Sequence, residues 1–253
     1  MLKKNKYDKL IPSAVICGLI LLWQLVCMIG LVPGYMLPSP IQVAQAFIID
    51  FPLLMDHAKI TLLEAAIGLF GGVALGFVCA AVMDEFEPIR LGLYPILVIT
   101  QTVPPVAVAP LLVLWFSYGI APKVVLVILV SFFPIAVGML EGLRSADRDQ
   151  IRLLRSMNAS KWQIFYNVKF PAALGEFFSG LKIAASYSVV GAVIAEWLGG
   201  YGGLGVYMTR VKKSFSYDKM FAVIILVSVI SLALMAIVRM LQRKSMPWID
   251  NEK

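Results

Sequence analysis

Five long blocks without a charged residue constrain this chain more than any other feature of its sequence. They cover residues 10–49, 65–83, 91–122, 124–140 and 220–238. A helix of about 20 apolar residues spans the hydrocarbon core of a bilayer. Of the 253 residues, 60% are hydrophobic and 15% are charged, whereas soluble domains carry about 45–50% and about 25%. The sequence therefore predicts an all-α integral membrane protein.

The apolar pattern predicts six spans within a single membrane domain that covers residues 1–253. The spans are approximately 11–31, 60–83, 92–116, 123–141, 177–199 and 220–241. The first span follows four lysines, as a secretion signal would. It is longer than a typical signal core, however, and no small-residue cleavage site follows it. We therefore expect a retained first helix.

The positions of lysine and arginine predict that both termini are cytoplasmic. With six spans the termini share one side, which then carries four basic residues at the N-terminus, Arg90, seven from Arg144 to Lys182 and four from Arg239 onward. The other side carries Lys59, Lys123, Arg210, Lys212, Lys213 and Lys219. The positive-inside rule favours this orientation. The basic residues that give the net charge of +7 thus flank the spans and do not form one patch. We therefore expect no nucleic-acid partner.

The sequence offers no recognisable catalytic or metal-binding set. It contains no Gly-x-x-x-x-Gly-Lys-Ser/Thr loop to hold nucleotide phosphates, and its single histidine, His57, has no companions at metal-ligand spacing. Cys17, Cys27 and Cys79 lie in apolar segments without disulfide or metal spacing. We therefore expect neither an enzyme nor a bound cofactor.

The connection at about 142–176 is the most polar part of the chain and predicts two short helices beneath the membrane. Asn158 suits the left-handed residue that ends a helix. Ser160 and Gln163 form a capping box for a second helix, and Pro171 is expected to end that helix. The segment is either a docking element or a plain amphipathic connector on the bilayer surface.

Two further patterns concern the outer connection and the second span. Ser39, Pro40 and Gln42 predict the capped start of an interfacial helix within the connection at 32–59. Glycines at 68, 72 and 76 form a small-residue face, which allows close approach of another helix within the subunit or across a dimer.

The third predicted span contains four prolines, which remove backbone hydrogen bonds and kink helices. They are Pro95, Pro104, Pro105 and Pro110. Interrupted helices in transporters often line the substrate path, and Thr100, Gln101 and Thr102 would offer polar contacts there. The alternative is a kink that serves packing alone.

Residues 152–160 followed by 168–171 resemble the coupling loop of ABC importer permeases. The family pattern is Glu-Ala-Ala, three residues, Gly, nine residues, then Ile-x-Leu-Pro. Arg152 stands at the Glu, Leu153 and Leu154 at the alanines, and Asn158 at the Gly. Residues 102–116, 195–197 with 202–205, and 37–40 resemble segments of the branch that includes nitrate, sulfonate, taurine and thiamine-precursor permeases.

The resemblance implies six transmembrane helices with a cytoplasmic coupling helix between helices 4 and 5. The coupling surface would comprise Arg152, Leu153, Leu154, Arg155, Met157, Asn158, Ala159, Trp162 and Pro171. The implied partners are a dimer of ATP-binding subunits, which would bind ATP and Mg²⁺, an extracytoplasmic solute-binding protein, a second copy of the chain and the lipid bilayer. The implied location is the bacterial cytoplasmic (inner) membrane.

Two carboxylates have open interpretations. Glu196, at the outer end of the fifth span, is either part of the path, as a gate or binding-protein contact, or a headgroup-level residue beside Trp197. Glu64 stands where relatives are expected to carry a basic residue. We expect it to reach outward to interfacial water, the alternative being a change in ligand or partner preference.

The expected cargo is a small organic nutrient such as a thiamine pyrimidine precursor. Fixed positive charge near the proposed path is sparse, whereas an anion path usually shows Arg or Lys. Taurine, alkanesulfonates and nitrate are the alternatives. A self-contained secondary transporter is a more distant one, since it predicts internal repeats or facing acids and bases.

Overall fold

The structure, a computed structural model, describes residues 7–247, which are helical apart from short turns. The helices are α1 (Tyr7–Ile29), α2 (Pro40–Ile49), α3 (Phe51–Glu85), α4 (Glu87–Thr100), α5 (Pro105–Phe116), α6 (Ala121–Arg144), α7 (Arg148–Ser156), α8 (Lys161–Ile164), α9 (Phe170–Trp197), α10 (Leu204–Lys213) and α11 (Tyr217–Ser245), with a π turn at Phe165–Lys169. Within residues 7–247, five helices are long and apolar enough to cross a bilayer, and α4 with α5 supplies a sixth crossing if taken together. The all-α membrane architecture is thus confirmed.

Helix α6 packs extensively against both α3 and α9, and α11 packs against α9 and α2. The predicted glycine face of α3 meets α6. A Cβ atom added at Gly68, Gly72 or Gly76 would lie within 3 Å of a side-chain atom of α6. The small-residue face therefore serves packing within the subunit, because only hydrogen side chains let these two helices come so close.

Gly180 of α9 lies close against the backbone of α6. A Cβ atom at this position would lie 2.2 Å from the carbonyl oxygen of Pro134. We expect Gly180→Ala to lower the free energy of unfolding by about 2 kcal/mol, because a backbone oxygen cannot move aside cheaply. Gly92→Ala is the matched control, since nothing lies within 4 Å of a Cβ atom there. Thermal unfolding in detergent measures both, and equal midpoints for the two variants would contradict the prediction.

The third predicted span is broken rather than kinked. Helices α4 and α5 meet at an angle of 100°, with residues 101–104 between them. Pro95 and Pro110 lie inside helices without ending them. The break falls at Pro104 and Pro105, because two successive prolines lack N–H donors and each disfavours helical backbone in the residue before it.

The prediction that Pro171 ends a short helix is wrong. Helix α8 passes through the π turn directly into α9, and Pro171 occupies the first turn of α9. Proline, which has no N–H, is tolerated there because the π turn directly before it interrupts the regular i→i−4 hydrogen-bond pattern. The π turn places the Phe165 and Phe170 rings, 6.1 Å apart, against the core cluster around Ala80 and Met83. The polar connection is consequently shorter than expected and covers residues 145–169.

Ion pairs and hydrogen bonds place the connections at opposite ends of α3. At its C-terminal end, Lys169 Nζ lies 2.7 Å from Asp84 Oδ2, and Lys161 pairs with Glu85. At its N-terminal end, Asp50 accepts hydrogen bonds from Tyr207 and Lys219. We call these the 145–169 end and the α10 end. Lys3, Lys4, Lys6 and Lys253, which contribute to the predicted orientation, lie outside the described residues.

Candidate functional site

The 145–169 connection has the local structure that its sequence predicts. Asp147 caps α7 by accepting a hydrogen bond from the Asp149 N–H (2.8 Å). Asn158 adopts a left-handed backbone with φ of 60°. Ser160 and Gln163 form the expected capping box, in which each side chain accepts from the other residue's N–H at 3.2 and 2.8 Å. Short-range hydrogen bonds therefore define this segment.

Apolar side chains of this segment face away from the bundle. Met157 and Trp162 are each 70% exposed, and Leu153 is similarly exposed. No residue of α7 is buried, while Leu154 and Ala159 are half-buried. Arg152 and Arg155 are exposed beside them. An exposed apolar patch rimmed by charge is typical of a protein interaction site. Pro171 does not join this surface, because it is half-buried at the start of α9.

The residues predicted for a path are brought together only in part. Thr100, Gln101, Thr102 and Pro104 are exposed at the break between α4 and α5, next to Pro105. The threonine hydroxyls donate to carbonyl oxygens of α4 at 2.7 Å. Their role in a path remains a prediction. Glu196 does not line an open surface in this conformation, since it is only 1% exposed.

Glu196 instead belongs to a buried polar cluster formed by His57, Thr61, Glu64, Lys123 and Glu196. Its carboxylate accepts hydrogen bonds from the Thr61 hydroxyl (2.8 Å) and from the Gly205 N–H (2.6 Å). The Leu204 N–H donates to the Thr61 oxygen at 2.8 Å, and the Gly203 N–H donates to His57 Nδ1 at 3.0 Å.

These contacts cap the N-terminus of α10 from outside the helix. The residue at its N-cap position is Gly203, which has no side chain and a φ of 115°. The first N–H groups of a helix need acceptors, and a carboxylate there is favoured by the helix dipole. Side chains of α3 and α9 supply those acceptors, so α10 is held firmly against the bundle.

The cluster also holds an ion pair that overturns two expectations. Glu64 Oε1 lies 2.6 Å from Lys123 Nζ, and both residues are buried. Glu64 therefore does not reach outward to water, and Lys123 is not a surface charge that reports topology. A usable signal was present in the sequence: both are single charges bordering apolar blocks, and such residues generally pair inside the bundle.

A second polar contact fixes α10 to the start of α3 and α11. Burial by itself would raise the pKa of the Asp50 carboxyl. Hydrogen bonds from Lys219 and Tyr207, with the Lys219 charge, outweigh it, so the pKa lies below its ordinary value. Burial is the main cause that raises the pKa of the Tyr207 hydroxyl, and the hydrogen bond to the Asp50 carboxylate raises it further. Asp50 is thus ionised and Tyr207 is its donor at neutral pH.

The known proteins that resemble this chain are transport permeases, and the similarity extends over nearly the whole chain. Residues 72–246 match the family described as binding-protein-dependent transport system inner membrane component. A probable ABC transporter permease of Haemophilus influenzae is 39% identical over 88% of this chain and 91% of its own length. The formylaminopyrimidine transport permease of Halalkalibacterium halodurans is 36% identical over 97% and 98%. A putative aliphatic sulfonates permease of Bacillus subtilis is 31% identical over 94% and 86%.

Solved structures share the fold at low sequence identity. An amino acid ABC transporter crystallised with histidines matches with a TM-score of 0.64 and 16% identity over 79% of this chain and 97% of that one. The inward-facing MetNI methionine ABC transporter matches with a TM-score of 0.61 and 21% identity over 75% and 96%.

Proposed function

We propose that this chain, which belongs to the binding-protein-dependent transport inner-membrane family of ABC importer permeases, works as a homodimer that imports a small organic heterocycle across the bacterial inner membrane. Membership implies partnership with ATP-binding subunits and a solute-binding protein. The two-copy assembly, the cytoplasmic position of both termini and the solute class are our inferences.

The observation that carries the coupling role is the exposed apolar surface of the 145–169 connection. Leu153, Met157 and Trp162 would insert into a groove on the ATP-binding subunit. Amphipathic helices in other complexes bind in the same way, with the apolar face in a hydrophobic groove of the partner protein. Arg152 and Arg155 would contact acidic groups at its rim and favour the correct partner. ATP and Mg²⁺ would be bound by that subunit.

The same segment has a direct mechanical link to the bundle. Lys169 pairs with the mostly buried Asp84, and Lys161 pairs with Glu85 at the end of α3. The π turn continues without interruption into α9. Movement of the docked segment would therefore displace α3 and α9 together and change access to the break between α4 and α5, where Thr100, Gln101 and Thr102 would meet the solute.

A neutral or weakly charged heterocycle is the solute class that the structure and the relatives favour. The formylaminopyrimidine permease aligns over nearly its full length. Within the described residues, the Lys123 ammonium is already neutralised by Glu64 and buried, so it is not available to bind an anion. A pyrimidine precursor of thiamine fits these observations.

An anionic solute is the second candidate. Relatives that transport sulfonates and taurine are each 31% identical to this chain. The half-buried Lys182 also lines a cavity of about 300 Å³ with Ser186 and Tyr187. That ammonium donates to Gln242 at 3.2 Å and could attract a sulfonate or nitrate.

Reconstitution of the permease with its ATP-binding subunit and solute-binding protein distinguishes these candidates. We expect formylaminopyrimidine to stimulate both ATP hydrolysis and uptake of labelled solute, while taurine, ethanesulfonate and nitrate do neither. Stimulation by an anion alone, with loss of that stimulation in Lys182→Met, would establish the second candidate. Uptake that proceeds without ATP or the partner subunits would overturn the importer assignment.

A further inference from the structure

The exposed positive charges of α10 lie near two exposed aromatic rings, one before the helix and one after it. Arg210, Lys212 and Lys213 are exposed, and no ion pair involves them within residues 11–247. Tyr201 is 93% exposed and Phe215 is 73% exposed. The Arg210 guanidinium donates to the Tyr201 carbonyl oxygen at 3.4 Å. We call these five residues the basic-aromatic face.

This face sits on a helix that is fixed in position. The opposite side of α10 is buried in the core cluster through Leu204, Tyr207, Met208 and Val211. The buried polar cluster caps its N-terminus, and Tyr207 bonds to Asp50. The basic-aromatic face is therefore presented in one orientation, and binding to it costs little ordering of the helix.

The geometry points to the basic-aromatic face as the docking surface for a carboxylate-rich rim of the extracytoplasmic solute-binding protein. This inference rests on the proposed function, because it needs a permease that works with such a protein. The face lies at the α10 end, opposite the 145–169 connection, where an extracytoplasmic partner would approach. Complementary charge accelerates and orients encounter between proteins, and exposed aromatic and arginine side chains are the common anchors of interfaces.

Anionic lipid is the competing occupant, and the packing of α10 disfavours it. A helix that binds the membrane interface inserts its apolar side among the acyl chains. The apolar side of α10 is already buried against α3, α9 and α11. Only the polar side of α10 remains available for binding. The two exposed aromatic rings lie at the ends of the helix, near the charged side chains.

Charge reversal at Lys212 and Lys213 tests the inference. The double variant Lys212→Glu/Lys213→Glu is assembled with the ATP-binding subunit in phosphatidylcholine nanodiscs, and the solute-loaded binding protein is titrated while ATP hydrolysis is followed. We expect the binding-protein concentration at half-maximal stimulation to rise at least about tenfold and its dependence on salt to weaken. The basal hydrolysis rate should not change. Lys59→Glu is the matched control, because Lys59 is an exposed lysine at the same end of α3.

Each outcome separates the inference from the function on which it rests. An unchanged half-maximal concentration in the double variant, with normal stimulation of the wild type, would overturn the docking surface alone. A difference between wild type and variant that appears only after anionic lipid is added would assign the face to lipid and also overturn it. No stimulation of the wild type by any loaded binding protein would count against the proposed function instead.

Discussion

Replacement of Lys123 by methionine should lower the free energy of unfolding by about 3–5 kcal/mol, the usual cost of leaving a buried charge without its partner. The Lys123 ammonium is the cation closest to Glu64, at 2.6 Å. Glu196 belongs to the same buried cluster, because its carboxylate accepts a hydrogen bond from Thr61, three positions before Glu64 in α3. Without Lys123, the Glu64 carboxylate would be buried with no ion-pair partner among the described residues.

A double variant shows whether this cost comes from the unpaired charge. Glu64→Met/Lys123→Met replaces the ion pair by two flexible apolar chains of similar length, and such replacements are often neutral. We expect it to recover most of the lost stability. Lys59→Met, which removes an exposed lysine, should change stability by less than about 0.5 kcal/mol. Denaturation in detergent micelles measures all three, and a double variant as unstable as Lys123→Met would refute the explanation.

The double variant Leu153→Asp/Met157→Asp should abolish solute uptake and weaken association with the ATP-binding subunit by about 100-fold, which corresponds to the loss of one or two interface anchors. Leu153 on α7 and Met157, which directly follows α7, are both exposed, so the substitutions leave the fold of the permease intact. Aspartate in an apolar groove would lose its hydration without gaining a partner. Co-purification of the complex and uptake into proteoliposomes measure the two effects.

Tyr35→Asp provides the matched control for this experiment. Tyr35 is an exposed apolar residue in the connection that precedes α2, far along the chain from α7. It should leave association with the ATP-binding subunit unchanged. If Leu153→Asp/Met157→Asp co-purified in the normal ratio and transported solute normally, the 145–169 connection would be a connector on the bilayer surface and not a docking element.

Features that depend on neighbouring residues were predictable from the sequence. Every apolar block except 91–122 contributes to a helix long enough to cross a membrane, because about 20 apolar residues suffice to span a bilayer whatever they pack against. The capping boxes at Ser39 and Ser160 formed as expected, since their hydrogen bonds link residues three apart. The left-handed Asn158 and the small-residue face of α3 follow from the same short-range and periodic patterns.

Features that depend on distant parts of the chain were decided by the tertiary structure. Glu64 pairs with Lys123, which lies 59 positions away in the sequence. His57 accepts a hydrogen bond from the Gly203 N–H, 146 positions away. No local pattern specifies which buried charges will meet. Pro171 lies in the first turn of α9 because Phe165 of the preceding π turn and Phe170 of α9 both pack against the core. Hydropathy and capping are properties of a few consecutive residues, whereas the pairing of buried polar groups depends on how α3, α6 and α9 pack together.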